Sequence, residues 1–189
     1  MGNEVIYVQT QKDGEKTTYK KYIRHFLSDD ITQDSTQAYA QMKITNKWAV
    51  EEKGAKLLMY LEDGASQHYK NANAEGDKRK EAQELKVPII TFWSCTDDGK
   101  CEVDGAGKAC ANAHKDVLVP KAVERAEDPV DCEVLVDVYN EACRYPEHQS
   151  KGSPLDYREA FHLDPSVIET LRASRPAFAT RVFALIFTL

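Results

Sequence analysis

A chain of 189 residues, 42% hydrophobic and 30% charged, has an ordinary globular composition and is too apolar to be read as disordered. One domain of this length should bury about 70% of the surface its unfolded chain exposes, enough for a core without staples. The net charge of −6 argues against a broad nucleic-acid or anionic-membrane surface, because both need clustered positive charge.

In chain order, "EVIYVQTQ" and "TTYKKYIRHF" flank "KDGEK", whose Asp13-Gly14 pair supplies a turn, so residues 4–26 are read as a β-hairpin. Its basic residues Lys12, Lys16, Lys20, Lys21 and Arg24 alternate with tyrosines. Such a mixture suits single-stranded nucleic acid, but in an acidic chain it reads better as a lysine-guarded edge strand. From Asp34 to about Lys86 the pattern turns helical, with breaks at Gly54, Gly64 and Gly76, although "KLLMYL" also fits a strand. Residues 65–86 have almost no apolar stripe and are expected to be a solvated helix or a mobile excursion.

"VPIITFW" is short, continuous and apolar, which predicts a buried central strand. A Cys-rich loop follows. Further on, Asp128-Pro129 and Asp164-Pro165 are each read as a helix N-cap followed by proline in the first turn. The six carboxylates of "ERAEDPVDCEVLVD" are assigned to the start of a helix, where they complement its dipole, and not to magnesium. "VFALIFTL", residues 182–189, is apolar on both strand faces and is expected to be core or to be covered by a partner. The fold class expected is α+β: a single domain over 1–189 with an N-terminal β-hairpin, a helical middle, a central buried strand, a Cys-rich loop, and a C-terminal helix plus apolar strand.

"WSCTDDGKCEVDGAGKACANAH" holds three of the five cysteines and one of the five histidines, spaced Cys95-x5-Cys101-x8-Cys110-x3-His114. Three thiolates and an imidazole form an accepted tetrahedral zinc set. A helical "ACANAH" would put Cys110 and His114 one turn apart on one face. The final gap resembles that of Cys-Cys-Cys-His zinc fingers. The earlier gaps do not, and the basic and aromatic residues of those RNA-binding modules are missing, so the resemblance implies no activity. The candidate metal ligands are therefore Cys95, Cys101, Cys110 and His114, with zinc as the one cofactor considered. The alternatives are free thiols, a Cys95–Cys101 disulfide across the turn in an oxidising place, or catalysis with Cys95 or Cys110 as thiolate, His114 as base and Asp116 as orienter. Phosphatase, thioredoxin, EF-hand, Walker, G-x-S-x-G and H-E-x-x-H patterns all fail.

The function expected is non-enzymatic: binding of a protein partner or self-association. A thiol-dependent hydrolase or transferase and a disulfide-stabilised structural component are the rivals. "MGNEVIYVQTQ" has no secretory or myristoylation pattern, and the longest strongly apolar run is far short of a membrane span. Cytoplasmic residence is the expectation, with signal-independent delivery left open.

Overall fold

Strand-forming residues separated by a turn sequence build the first element pair, as the alternation predicts. β1 (Gly2–Thr10) and β2 (Thr18–Leu27) pair antiparallel, in a register running from Gly2↔Phe26 to Thr10↔Thr18. The computed structural model describes residues 2–10, 18–32, 34–62, 71–93, 103–105, 108, 119–125, 131–144 and 156–175. The Asp13-Gly14 turn lies outside them. The architecture is α+β, and the contacts divide it into two compact units, each drawn from two separated stretches.

The first unit takes residues 1–31 and 99–166. Its sheet has the order β1-β2-β5, because β5 (Asp156–His162) pairs parallel to the far side of β2, from Lys21↔Asp156 to Leu27↔His162. The basic strand β2 is thus the centre of the sheet and not a guarded edge. Arg24 is only 3% exposed: its guanidinium lies 4.8 Å from the Phe161 ring centroid and 3.5 Å from Glu159. Local pattern could not reveal this, because Glu159 and Phe161 arrive from far along the chain.

On the other face, Leu27 and Ala160 form a buried cluster with Val136, Val138 and Tyr139 of α4 (Cys132–Arg144). His25 meets the Tyr139 ring edge-on at 5.1 Å, and its Nδ1 is 2.7 Å from Asn3 Oδ1. A short helix, α3 (Val119–Arg125), packs against α4. A helix does follow the Asp128-Pro129 signal, but its cap is Asp131, whose carboxylate accepts the Val134 N–H at 2.9 Å. Asp128 and Pro129 lie outside the described residues.

Asn140 of α4 protects the outer edge of β5. Its Nδ2 donates to the Ala160 carbonyl at 2.9 Å and its Oδ1 accepts the Ala160 N–H at 2.8 Å, so a side chain replaces a neighbouring strand. Ala160 is buried, so Asn140→Leu orphans a donor and an acceptor together. A loss of roughly 2–6 kcal/mol is expected by denaturant titration, at the unsatisfied-group cost for each of the two. Loss within error would show that water reaches this edge.

The second unit takes residues 32–98 and 167–189. Asp34 caps α1 (Ser35–Glu51) by accepting the Thr36 and Gln37 N–H groups at 2.9 and 3.3 Å. Gly54 has φ +68°, in the left-handed region that glycine enters without strain, and it lies between the end of α1 and the next strand. Then β3 (Leu58–Glu62), α2 (Ala72–Leu85) and β4 (Ile89–Trp93) form a βαβ unit whose strands pair parallel. "KLLMYL" therefore contributes a strand, and Gly76 sits inside α2 without breaking it. Ala49, Leu58 and Val87 make the apolar core, with Trp48, Tyr60, Leu85 and Ile89 packed around it. The predicted helix start at Asp164 is present: α5 (Pro165–Ser174) opens with the Ser166 N–H donating to Asp164 at 2.8 Å. The boundary between the two units falls within α5.

Candidate functional site

Two features of the second unit stand out, one on each face of the β3–β4 sheet. Successive side chains of a strand alternate faces, and residues opposed in register share one. The pairs Met59↔Ile90 and Leu61↔Phe92 therefore point the same way. All four are open to solvent, at 63, 43, 74 and 51% exposure. "VPIITFW" is a strand, as its composition indicates, but only its inner residues are covered. Strands of a parallel sheet are normally apolar on both sides because layers cover both sides. Among the described residues only the inner side is covered.

The inner face leads into a layer of paired charges. Tyr60 donates its hydroxyl to Asn46 Oδ1 on α1. Glu62 accepts from Lys78 of α2 at 2.5 Å, and Lys78 also reaches Glu75 at 3.0 Å and lies 5.7 Å from the Trp93 ring centroid. One turn along α2, Glu81 accepts from Lys43 at 2.8 Å and from the Tyr39 hydroxyl at 3.2 Å, both on α1. At the start of α1, Arg175 grips Asp77: its Nε is 3.0 Å from Oδ2, with a second, closer contact from Nη2. The same guanidinium donates to Ser35 Oγ, Thr36 Oγ1 and the Ser35 carbonyl. Arg172 holds Asp34 at 2.9 Å.

Asp77, Lys78 and Glu81 are buried, so the face that α2 turns inward is charged. α2 is a helix with much of its surface exposed, as expected for a segment without an apolar stripe, yet it is docked by salt bridges. Burial pushes the Asp77 and Glu62 carboxyls above the ordinary carboxylate range, and Arg175 and Lys78 pull them down only in part. Tyr39 is pushed up to about 12 by burial and then by the Glu81 charge. Burial disfavours the Lys43 ammonium, but the hydrogen bond and charge of Glu81 outweigh it and raise its pKa.

A family profile described as "Domain of unknown function (DUF8701)" matches residues 4–141, well over half of the chain. The chain belongs to the DUF8701 family. No curated protein and no solved structure gives a match. The DUF8701 segment contains most of β1, all of β2 to β4 and most of α4, and so includes the exposed sheet face and all of α2.

Cys95, Cys101, Cys110, His114 and Asp116 fall within the DUF8701 segment but outside the described residues, as does most of the loop that would join them. Among the described residues no cluster of three His, Cys, Asp or Glu side chains is placed to hold a metal. Among them also, no helix is long and apolar enough to cross a membrane.

A thiol that sequence reading passed over is Cys132, half-buried at the start of α4. Its backbone N–H lies 3.3 Å from Asp29 Oδ1, and His162 Nε2 lies 3.5 Å from Asp29 Oδ2. The carboxylate thus stands beside both residues, whereas an activated cysteine needs the imidazole next to its sulfur. Burial and the Asp29 carboxylate push the Cys132 thiol up to about 11, which keeps it protonated at neutral pH. This trio is built to hold β2, β5 and α4 together and not to attack a substrate.

Proposed function

We propose that this DUF8701 protein is a binding protein, and that it engages a protein partner through the outer face of the β3–β4 sheet. The observation that carries the reading is the uncharged patch of Met59, Leu61, Ile90 and Phe92, exposed in a chain that is 30% charged. The occupant that fits is the apolar side of an amphipathic helix. Two strands about 4.8 Å apart and five residues long present a strip about as wide as one helix, and helices are what normally cover the second face of a parallel sheet. Water is the alternative cover, and leaving four large apolar side chains to it forgoes roughly 1.5–3 kcal/mol for each one that could be fully buried.

The test uses a photo-crosslinking residue at position 61, with position 121 on the first unit as an exposed control. A partner captured at 61 and not at 121 is then titrated against wild type and Leu61→Glu. A central apolar contact of this kind is worth about 2 kcal/mol, so affinity is expected to fall roughly 30-fold. The melting temperature should hold, because an exposed side chain rarely contributes more than about 0.5 kcal/mol to stability. Equal capture at both positions, or unchanged affinity for the glutamate variant, overturns the proposal.

A further inference from the structure

The outer strip of β3 and β4 is apolar along its length but not electrically uniform. Leu57, one residue before β3, is a further apolar side chain at that end, 45% exposed. The apolar stretch 182–189 lies outside the described residues. Where the two strands begin stand two exposed lysines, Lys56 two residues ahead of Leu58 and Lys86 three ahead of Ile89. No ion pair engages either of them among the described residues. The acids closest to them in sequence are committed elsewhere. Glu51 and Glu52 finish α1, which packs on the inner side through Ala49, and Glu84 is engaged by Lys43 and Lys80. At the far end the strands close on Trp93 and on Glu62, whose carboxylate turns inward to Lys78. The strip is basic at the end where its strands start.

Lys86 holds its place against a backbone preference. As the C-cap of α2 it has φ +56°, in the left-handed region, and its N–H donates to the Ala82 carbonyl. Glycine enters that region freely and lysine does not; after α1 the left-handed position is filled by Gly54. The Lys86 ammonium complements the dipole of α2, which offsets part of the strain. That local role gives no account of Lys56, which stands at the start of the neighbouring strand.

A helix that covers a parallel sheet lies nearly along the strands, and apolar packing accepts either direction. Charge decides between them. A helix carries roughly half a negative charge at its C-terminus, on carbonyls that have no partner within it. We infer that the helix bound on this face runs antiparallel to β3 and β4 and carries Asp or Glu in its last turn, against Lys56 and Lys86. As the crossover between two parallel strands, α2 already runs this way on the inner side and ends at Lys86. Resting on the docking role proposed for the face, this adds the direction and the charge of its occupant. An anionic lipid surface would meet the same lysines, but the overall charge of −6 opposes it and the strip is only one helix wide.

A phage-displayed library of helical peptides, selected on the full chain, tests it. Peptides of about 14 residues span the strip with one turn to spare, and both end turns and the apolar stripe are randomised. Selected peptides should carry Asp or Glu at least about 5-fold more often in the last turn than in the first. An isolated helix prefers the reverse, so helix stability alone cannot generate this bias. On the double variant Lys56→Glu with Lys86→Glu, the last turn should instead select Lys and Arg. Lys86→Gly should weaken the best selected peptide roughly 3-fold while the melting temperature holds or rises, which a purely structural lysine would not give. Selection no stronger on wild type than on Leu61→Glu means that the face docks no helix, and the direction falls with that reading. A selected apolar stripe that Leu61→Glu abolishes, with no acid in the last turn, overturns the direction and leaves the docking role standing. Phosphatidylserine vesicles bound by wild type and released by the double lysine variant would make a lipid surface the occupant and overturn it as well.

Discussion

Arg175→Ala is expected to be among the most damaging single substitutions in the protein, costing roughly 3–5 kcal/mol. Its side chain and that of Asp77 are 11 and 5% exposed, so removal of the guanidinium strands a carboxylate in a low-dielectric site. It also withdraws the donors that satisfy the Ser35 and Thr36 hydroxyls and the Ser35 carbonyl. A typical domain has only about 5–15 kcal/mol in total. Asp77→Leu with Arg175→Met should recover most of the loss, because two apolar side chains leave no charge uncompensated. Denaturant titration of wild type, both single variants and the pair gives the coupling directly. Single variants costing under about 1 kcal/mol would mean that water solvates the pair and that the charged layer is not what docks α2.

A second large effect is expected in alkali, from Tyr39, Lys43 and Glu81. Tyr39 titrates at about 12 in the folded chain but near 10 when unfolded, so between these values only the unfolded state releases the proton. Stability is therefore flat below pH 10 and falls as pH rises from 10 to 12, at up to about 1.4 kcal/mol per pH unit for one proton. Lys43 acts in the same direction. Its folded pKa is raised, so its contribution is complete below the ordinary lysine value and is lost as pH climbs through the folded one. Thermal melts from pH 8 to 12 should show the decline, and Tyr39→Phe should be measurably less steep. Parallel curves for the two proteins would remove Tyr39 as the source.

Local chemistry was legible in the sequence wherever it acts over a few residues. The hairpin, the Asp164-Pro165 helix start, the strand character of "VPIITFW" and the α+β class all follow from alternation, capping and turn residues. Two kinds of feature escaped. β5 was not anticipated, because "DYREAFH" is half polar and becomes a strand only through its pairing with β2. The inward face of α2 escaped because hydrophobic periodicity counts a lysine or glutamate as solvent-facing, whereas Lys78 and Glu81 are buried against opposite charges on other elements. The signal that was available is positional: a helix-length segment between "KLLMYL" and "VPIITFW" is where a βαβ crossover must lie. The exposed sheet face could not have been read at all, since an apolar strand looks the same in sequence whether or not its second side is covered.

The parallel pairing of β2 with β5 has a consequence for the order in which the chain is made. Arg24 and Glu159 are 135 positions apart, so β2 leaves the ribosome long before its neighbour exists. Until then the hairpin can close only one of β2's two edges, and Phe26 and Arg24 both lack the Phe161 ring on which they pack. Pairings this distant slow folding and prolong the time an open strand is available to other chains. The DUF8701 segment stops at residue 141, ahead of β5. A fragment cut at the family boundary would hold the first unit permanently at that unfinished stage of synthesis.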